Sequence, residues 1–500
     1  MTLQEIFAIE DIGLRITELK KRNTPIPDVG KLRAEWDPAL HDVMNKSIRK
    51  KRKVLVSEAT TNDDGKKIPA KYEYEEVNRI AIPFQQDIVN IHTAFTVGRE
   101  PELDCETNNE DEDIVFMVVR AIEKDNKLKY VNKRAVRAWL AETEVAEYWY
   151  ASEDIGFWKR IEAKAKKAGK TYKKKGEAKY KLKCKLFSPF LGDTLYPIFD
   201  AMDNMIVFSR EYKRKENNAE VIYFQTITDQ FVHVYKQDGA SWVLDTTQSF
   251  NHSFGKLPVM YNPRKDGPIY KIVSPIIKRV ENMLSDFAEC IDHHFFPKTI
   301  IKGDIVGIQA AERSQTVKLD GDAEITKLTW QQAPDNIKLE LDIDFRQIYS
   351  RTQTPDVSFE NLKGIGIQSG VAFKYVYMGA HMAVENHAED VELYLQRRYN
   401  FLVHATGKLN TAYEEASETI EITPKIIPYM IDDVEADVSI ALKAGGGEAF
   451  ASRKTIVKLG KLVDDVDSEV AEIESDEKKK ADAQAKANEY SNYPIGAGGE

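Results

Sequence analysis

Histidines, cysteines and clustered carboxylates are the residues that could hold a metal or carry acid–base chemistry, and their spacing is the first test. Nine histidines are present, and His381 and His387 are near neighbours in one helical segment. They lie six apart, whereas a zinc-binding helix places its pair four apart. His293 and His294 follow Asp292, and adjacent residues of a helix point to different faces. Cys105, Cys184 and Cys290 are far apart and form no CxxC pair, which fits reduced thiols in a cytosol. Asp320-x-Asp322-x-Glu324 opens like a calcium loop, but Ile325 stands where that loop needs Gly and Gln331 where it needs Glu. Gly169-Lys170-Thr171 looks like the end of a phosphate loop, yet Lys164 occupies the position of its first Gly. Ser369 lacks the Gly-x-Ser-x-Gly elbow, because Ile367 sits at the first Gly position. Spacing assigns no catalytic residue, no metal and no cofactor, and the expectation is a protein that is not an enzyme.

The chemistry that remains is that of a scaffold. Five hundred residues allow several domain-sized cores. A net charge of −10 argues against gripping nucleic acid over the whole surface, since duplex affinity comes mostly from Lys and Arg on phosphates. It leaves room for a conduit in which DNA must slide. The opening Met-Thr-Leu-Gln-Glu-Ile-Phe carries no basic stretch, so no signal peptide is expected. No apolar run approaches the length of a membrane span.

Three elements stand out as positioners. Ser274-Pro275 opens a helix with Ile276, Ile277, Val280, Leu284, Phe287, Ile291 and Phe295 at three- and four-residue steps, ending at Pro297. Its other face carries Lys278, Glu281, Asp286 and Glu289. A second helix is expected from Pro334 to about Arg351, with Ile337, Leu341, Phe345 and Ile348 on one face. Then Pro355-Asp356 leads through a loop containing Gly364, Gly366 and Gly370 to a long helix from Val371 to about Ala405, with Ser369 as its N-cap. That helix would span roughly 50 Å.

Elsewhere the pattern is mixed. Helices are expected over residues 3–22 and 31–53, and a hairpin joins Val54-Leu55-Val56 to Tyr72-Glu73-Tyr74. Residues 78–103 read as a strand running into a helix that ends near Gly98 and Pro101. Residues 111–153 read as helical, the second helix bearing Trp139, Leu140, Val145, Tyr148 and Trp149. The eleven lysines of residues 164–185 read as an exposed basic hairpin or insertion. From 186 to 262 alternation predicts antiparallel strands with a turn at Asp238-Gly239. Short strands are expected at 299–303, 317–319 and 325–328, at 419–424, and near 438–442. Gly445-Gly446-Gly447 reads as a hinge before a charged helical tract from Ser452 to about Ala487.

The order of acidic helix, Pro-Asp, Gly-containing loop, Ser369-Gly370-Val371-Ala372-Phe373-Lys374 and long helix resembles the portal proteins of tailed bacteriophages, the group typified by the portal of phage SPP1. The upstream segment Gly255-Lys256-Leu257-Pro258-Val259 and the Ser452-x-x-Thr455 start also resemble that family. The resemblance covers most of the chain and implies an α+β portal fold with wing, stem, clip and crown, assembled as a dodecameric ring. It implies a wing over 1–270, stem helices at 271–297 and 334–352, and a clip at 298–333. A tunnel loop at 353–368, further wing at 369–445, a crown at 446–490 and a disordered tail at 491–500 complete the layout. The tunnel loop would present Phe359, Glu360, Asn361, Leu362, Lys363, Gly364, Ile365 and Gly366 to DNA, with Lys363 touching phosphates weakly. Lys278, Glu281, Glu289 and Lys338 are the candidates for the stem lumen. The implied partners are double-stranded DNA, the major capsid protein, the terminase large subunit and a head-completion adaptor, with no membrane. The implied location is the portal vertex of the virion, reached from the host cytoplasm. The alternative is a virion-associated protein that binds or modifies nucleic acid, with the lysine run as its contact.

Overall fold

The structure, a computed structural model, describes residues 3–22, 24–61, 67–176, 178–294, 299–302, 305–311, 314–319, 324–327, 333–356, 376–429, 452–460 and 466–491. The chain divides into two units, 1–356 with 377–429, and 357–376 with 430–500.

In the first unit the N-terminal helical stretch is two helices, α1 (Leu3–Phe7) and α2 (Ile12–Leu19), because Asp11 caps a new start by accepting from the Leu14 amide at 2.9 Å. Likewise α3 covers only Val29–Trp36, and the expected helix over 31–53 gives way to short 3-10 turns. The basic run Lys50–Lys53 then enters a strand rather than ending a helix. The ribbon that follows is the expected hairpin: β1 (Arg52–Ser57) and β4 (Lys71–Glu75) pair antiparallel with Leu55 opposite Tyr72. An inner pair, β2 (Thr60–Thr61) and β3 (Lys67–Ile68), extends it.

A helical layer comes next. It comprises α4 (Phe84–Val97), a short β5 (Glu102–Asp104), α5 (Glu110–Asn126) and α6 (Leu128–Glu142). Beyond α6 the expectation of helix fails. Thr143 adopts φ 73°, which ends the helix, and residues Glu144–Glu153 form β6. Val145, Tyr148 and Trp149 therefore sit on a strand buried on both faces. A run of buried apolar residues fits either period, so spacing alone does not separate the two. The lysine-rich stretch is no hairpin either. Its start belongs to α7 (Ile155–Lys167), and its end is β7 (Tyr180–Phe187), which pairs with β6.

The predicted antiparallel strands are present: β8 (Thr194–Phe199), β9 (Met205–Glu216), β10 (Ala219–Ile227), β11 (Phe231–Asp238), β12 (Ser241–Leu244) and the short β13 (Phe250–Asn251). They form one sheet in the order β12-β11-β10-β9-β8, with β13 also on β11. Period-two alternation gives it two buried faces. Val207, Phe224 and Tyr235 pack under α1 and α2, while Phe208, Tyr223 and Val234 meet β6, β7 and β14 (Val259–Pro263).

From there α8 (Ser274–His294) and α9 (Ala333–Thr352) bracket four strands. These pair as β15 (Thr299–Lys302) with β18 (Glu324–Lys327), and β16 (Ile305–Ala311) with β17 (Ser314–Leu319). The long helix α10 runs over Met378–Leu409, ending later than expected. It is followed by α11 (Glu414–Thr419) and β19 (Thr423–Lys425), which pairs with β5. Thr419 thus closes a helix rather than opening a strand.

One buried polar cluster welds α10 to β6, the middle strand between β14 and β7. Arg398 donates to both Glu147 oxygens at 2.8 and 2.6 Å and to Asn132 at 2.6 Å, and Tyr394 and Trp149 also donate to Glu147. Neither charged side chain has any exposure. Both charges have several partners, which is the condition under which a buried pair is tolerated.

In the second unit the described residues are α12 (Arg453–Gly460) and α13 (Val466–Ser491). The tract expected as one is two helices folded back on each other, tied by Arg453 to Glu477 at 2.7 Å. The Thr455 amide donates to Ser452 Oγ at 3.3 Å, an N-cap at the expected Ser-x-x-Thr start. The Ser369 N-cap, the strand near 438–442, the hinge Gly445–Gly447 and residues 492–500 lie outside the described residues.

Candidate functional site

The residues singled out by the sequence cluster on α8, α9 and the loop after α9. Phe359, Glu360, Asn361, Leu362, Lys363, Gly364, Ile365 and Gly366 lie outside the described residues. The helices on which that loop depends are described, and their fastening is specific.

The polar side of α8 is largely engaged by its own subunit. The buried residues of α8 are Ser274, Ile277, Val280, Glu281 and Ser285, so they include three polar side chains. Glu281 accepts from the Ile82 amide at 2.9 Å and from His41 Nδ1 at 2.6 Å. The Ile80 amide donates to Ser285 Oγ at 2.9 Å. Arg49 reaches Asp286 at 2.8 Å and Glu289 at 2.7 Å, and Asn78 donates to Asp292 at 2.6 Å. The segment read as a strand at 78–82 is therefore an extended strap whose amides are satisfied by helix side chains. As for the lumen candidates, Glu281 is buried inside its own subunit, so it cannot line an opening. Glu289 is held by Arg49. Lys278 is half exposed and bridges to Asp42 at 2.8 Å, and Lys338 on α9 is exposed.

His41 carries the electrostatics of this strap. Burial opposes a charge on its ring, but the hydrogen bond and charge of Glu281 outweigh it, and the pKa is raised above the ordinary histidine value. Its other nitrogen faces the Glu35 carbonyl at 3.1 Å, so a doubly protonated ring satisfies both partners.

On the other side α8 meets α9. Arg279 forms an ion pair with Glu340 and lies 3.7 Å from Asp344. Phe84 at the start of α4 packs between Phe345 and Tyr349 of α9, with ring centroids 5.6 and 6.3 Å away. The end of α9 is closed by Gln353, at φ 55°. The Thr354 amide returns to the Tyr349 carbonyl and the Gln353 amide to that of Ser350, a Schellman closure without glycine.

Thr354 is then gripped from outside the helix. Its hydroxyl lies 3.0 Å from His92 Nε2 on α4, and His92 Nδ1 lies 3.2 Å from His387 Nε2 on α10. Trp139 covers His387 edge-on at 5.5 Å. Burial lowers both rings, His92 to about 4 and His387 to about 3, the latter helped by its neighbour and by Arg264. Both are neutral at ordinary pH. This chain of contacts fixes the backbone just before residue 357. Sequence reasoning gives His387 a structural role but holds no signal joining it to His92, which is 295 positions away.

The lysine run is paired only in part, and eight of its eleven lysines are exposed. Lys170 pairs with Asp113, Lys173 with Asp111, and Lys181 with Asp125 and Asp154. Among the described residues no group of three His, Cys, Asp or Glu side chains could hold a metal, and no helix is long and apolar enough to cross a membrane.

A family model described as phage portal protein, SPP1 Gp6-like, matches residues 30–483. Among solved structures, the neck of a native GTA particle computed with C12 symmetry aligns at TM-score 0.40 and 10% identity, covering 76% of this chain and 91% of that one. The neck of an empty GTA particle computed with C6 symmetry aligns at TM-score 0.38 and 10% identity, covering 76% and 90%. No curated protein matches.

Proposed function

This chain belongs to the SPP1 Gp6-like family of phage portal proteins, and on that premise we propose that its copies close into a dodecameric ring that conducts double-stranded DNA at one capsid vertex. The family match over 30–483 carries the reading. Two further features support it. Helices α8 and α9 are joined through Arg279 and separated in sequence only by the paired strands β15–β18. The chain end of α9 is clamped by Thr354, His92 and His387, which would hold the following loop, residues 357–368, at a fixed place.

In this reading α8 and α9 are the stem, residues 298–333 the clip and 452–491 the crown. DNA must be confined without being held. An acidic subunit, at −10, repels phosphates and keeps sliding friction low. Lys363 of the loop supplies weak, repeated contact, and Lys278, Glu289 and Lys338 remain the stem candidates. The terminase large subunit and later the head-completion adaptor dock on the clip, and the major capsid protein surrounds the wing. The site carries no reaction of its own, so the motor's nucleotide chemistry stays with the terminase. Assembly takes place in the host cytoplasm before the virion is complete.

The test is the mass and outline of the purified protein. A closed ring of twelve with a central hole, by native mass spectrometry and electron microscopy, is the expected result. A compact single chain at every concentration would overturn it.

A further inference from the structure

Among the described residues, one exposed element has no further strand partner in its own subunit. The β1–β4 ribbon pairs only with itself, and a lone two-stranded ribbon is marginal in water. Its two faces differ. Arg52 opposite Glu75 and Val54 opposite Glu73 form a polar side, while Lys53 opposite Tyr74 and Leu55 opposite Tyr72 form an aromatic one. Lys53 lies over the Tyr72 ring at 3.8 Å and pairs with no carboxylate among the described residues.

A matching surface lies on α10. Met378, Met382, Glu385, Glu389 and Leu393 follow one another by three or four residues, so they form a single outward stripe. Glu385 and Glu389 pair with no cation among the described residues. The apolar members of both surfaces, Leu55, Tyr72, Tyr74, Met378, Met382 and Leu393, are each between 46% and 64% exposed. The ribbon face and the helix stripe are therefore not each other's partners within one subunit. The aromatic face spans about 7 Å along the ribbon, so it covers only part of the stripe from 378 to 393, about 22 Å long. One is cationic and aromatic, the other acidic and rich in Met: aromatic and Met side chains are enriched at interfaces, and the opposite charges are complementary.

We propose that the aromatic face of the ribbon docks on the Met378–Leu393 stripe of a second copy of this chain. Two different surfaces in contact make a head-to-tail interface, the kind that closes into a ring. The inference rests on the reading that this portal protein assembles, and adds which surfaces meet.

The test measures assembled mass against concentration for the full chain. Tyr72→Ser with Tyr74→Ser is expected to raise the concentration for half-assembly roughly thirtyfold, with the circular dichroism of the subunit unchanged because the ribbon is exposed. Lys53→Glu alone, and Glu385→Lys with Glu389→Lys alone, are each expected to weaken assembly by up to about fivefold. Combining these three changes in one chain restores it, a rescue that misfolding would not give. If the wild type forms rings and all the variants assemble equally well, the inference is overturned while the portal reading stands. Loss of capsid or DNA attachment with intact rings also overturns it, by assigning the ribbon to another partner. A wild type that never assembles overturns both.

Discussion

Two histidine contacts fasten the paired helices α8 and α9, and they do so in opposite charge states. His41 binds Glu281 of α8 and is tuned toward the cation, because a carboxylate at 2.6 Å outweighs burial. His92 binds Thr354 at the end of α9 and is tuned toward the neutral ring, because burial opposes its charge and Arg264 repels it. The same side chain thus gives opposite pH responses within one subunit. A histidine raised by its partner contributes stability that is fully present below its unfolded pKa and lost as pH rises through the folded value. A histidine held neutral by burial costs stability on acidification: below about pH 6.5 the unfolded chain takes the proton and the folded chain does not. Acid therefore tightens the α8 strap and loosens the α9 clamp.

The largest break in this comparison comes from Glu281→Ala. It strips His41 and the Ile82 amide of their partner at once, and a loss on the order of 3–5 kcal/mol is expected. Chemical denaturation should show that loss growing toward pH 5, where wild-type His41 is charged. Next, lowering the pH of the wild type from about 6.5 to about 4 should cost roughly 3 kcal/mol through His92, because each tenfold change in proton affinity is worth about 1.36 kcal/mol. Thermal scans across that window should show the fall, and His387→Gln, which cannot take up a proton, should flatten part of it. His41→Gln is expected to cost about 1.5–3 kcal/mol at pH 5.5 and less at pH 8.5, the reverse slope, because only the charged ring makes the stronger hydrogen bond. An equal loss at both pH values would show that His41 is neutral in the folded state. The smallest effect is Lys278→Ala, whose half-exposed pair with Asp42 should contribute below about 1 kcal/mol at any pH.

The clamp and the strap also mark where sequence reasoning stops. The limits of α8 and α9 are legible to within a few residues, since Ser274-Pro275 and the apolar steps have a local cause. So is the pairing of β1 with β4, flanking a turn signal at Asn62-Asp63-Asp64-Gly65. On the polar face of α8, by contrast, Glu281 reads as exposed but is buried against residues 41 and 82. A helix pattern distinguishes polar from apolar sides but cannot tell water from a strap whose amides and charged side chains satisfy the polar side. The strand at 144–153 reads wrongly as helix because a fully buried strand has no alternation to display. The lysine run reads as exposed and most of it is, but the pairing of Lys170, Lys173 and Lys181 is not legible, because Asp111, Asp113, Asp125 and Asp154 are spread along other elements.

What the chain determined by itself was the order of its elements, the antiparallel strands of the large sheet and the succession that identifies a portal protein. These depend on period, turn chemistry and caps, all of which act over a few residues. What only the tertiary structure decided was which polar groups are paired. Glu281 meets residues 41 and 82, His92 meets residues 354 and 387, and Glu147 meets residue 398. Each charge state follows from a neighbour far away along the chain, and no local pattern records such a distance.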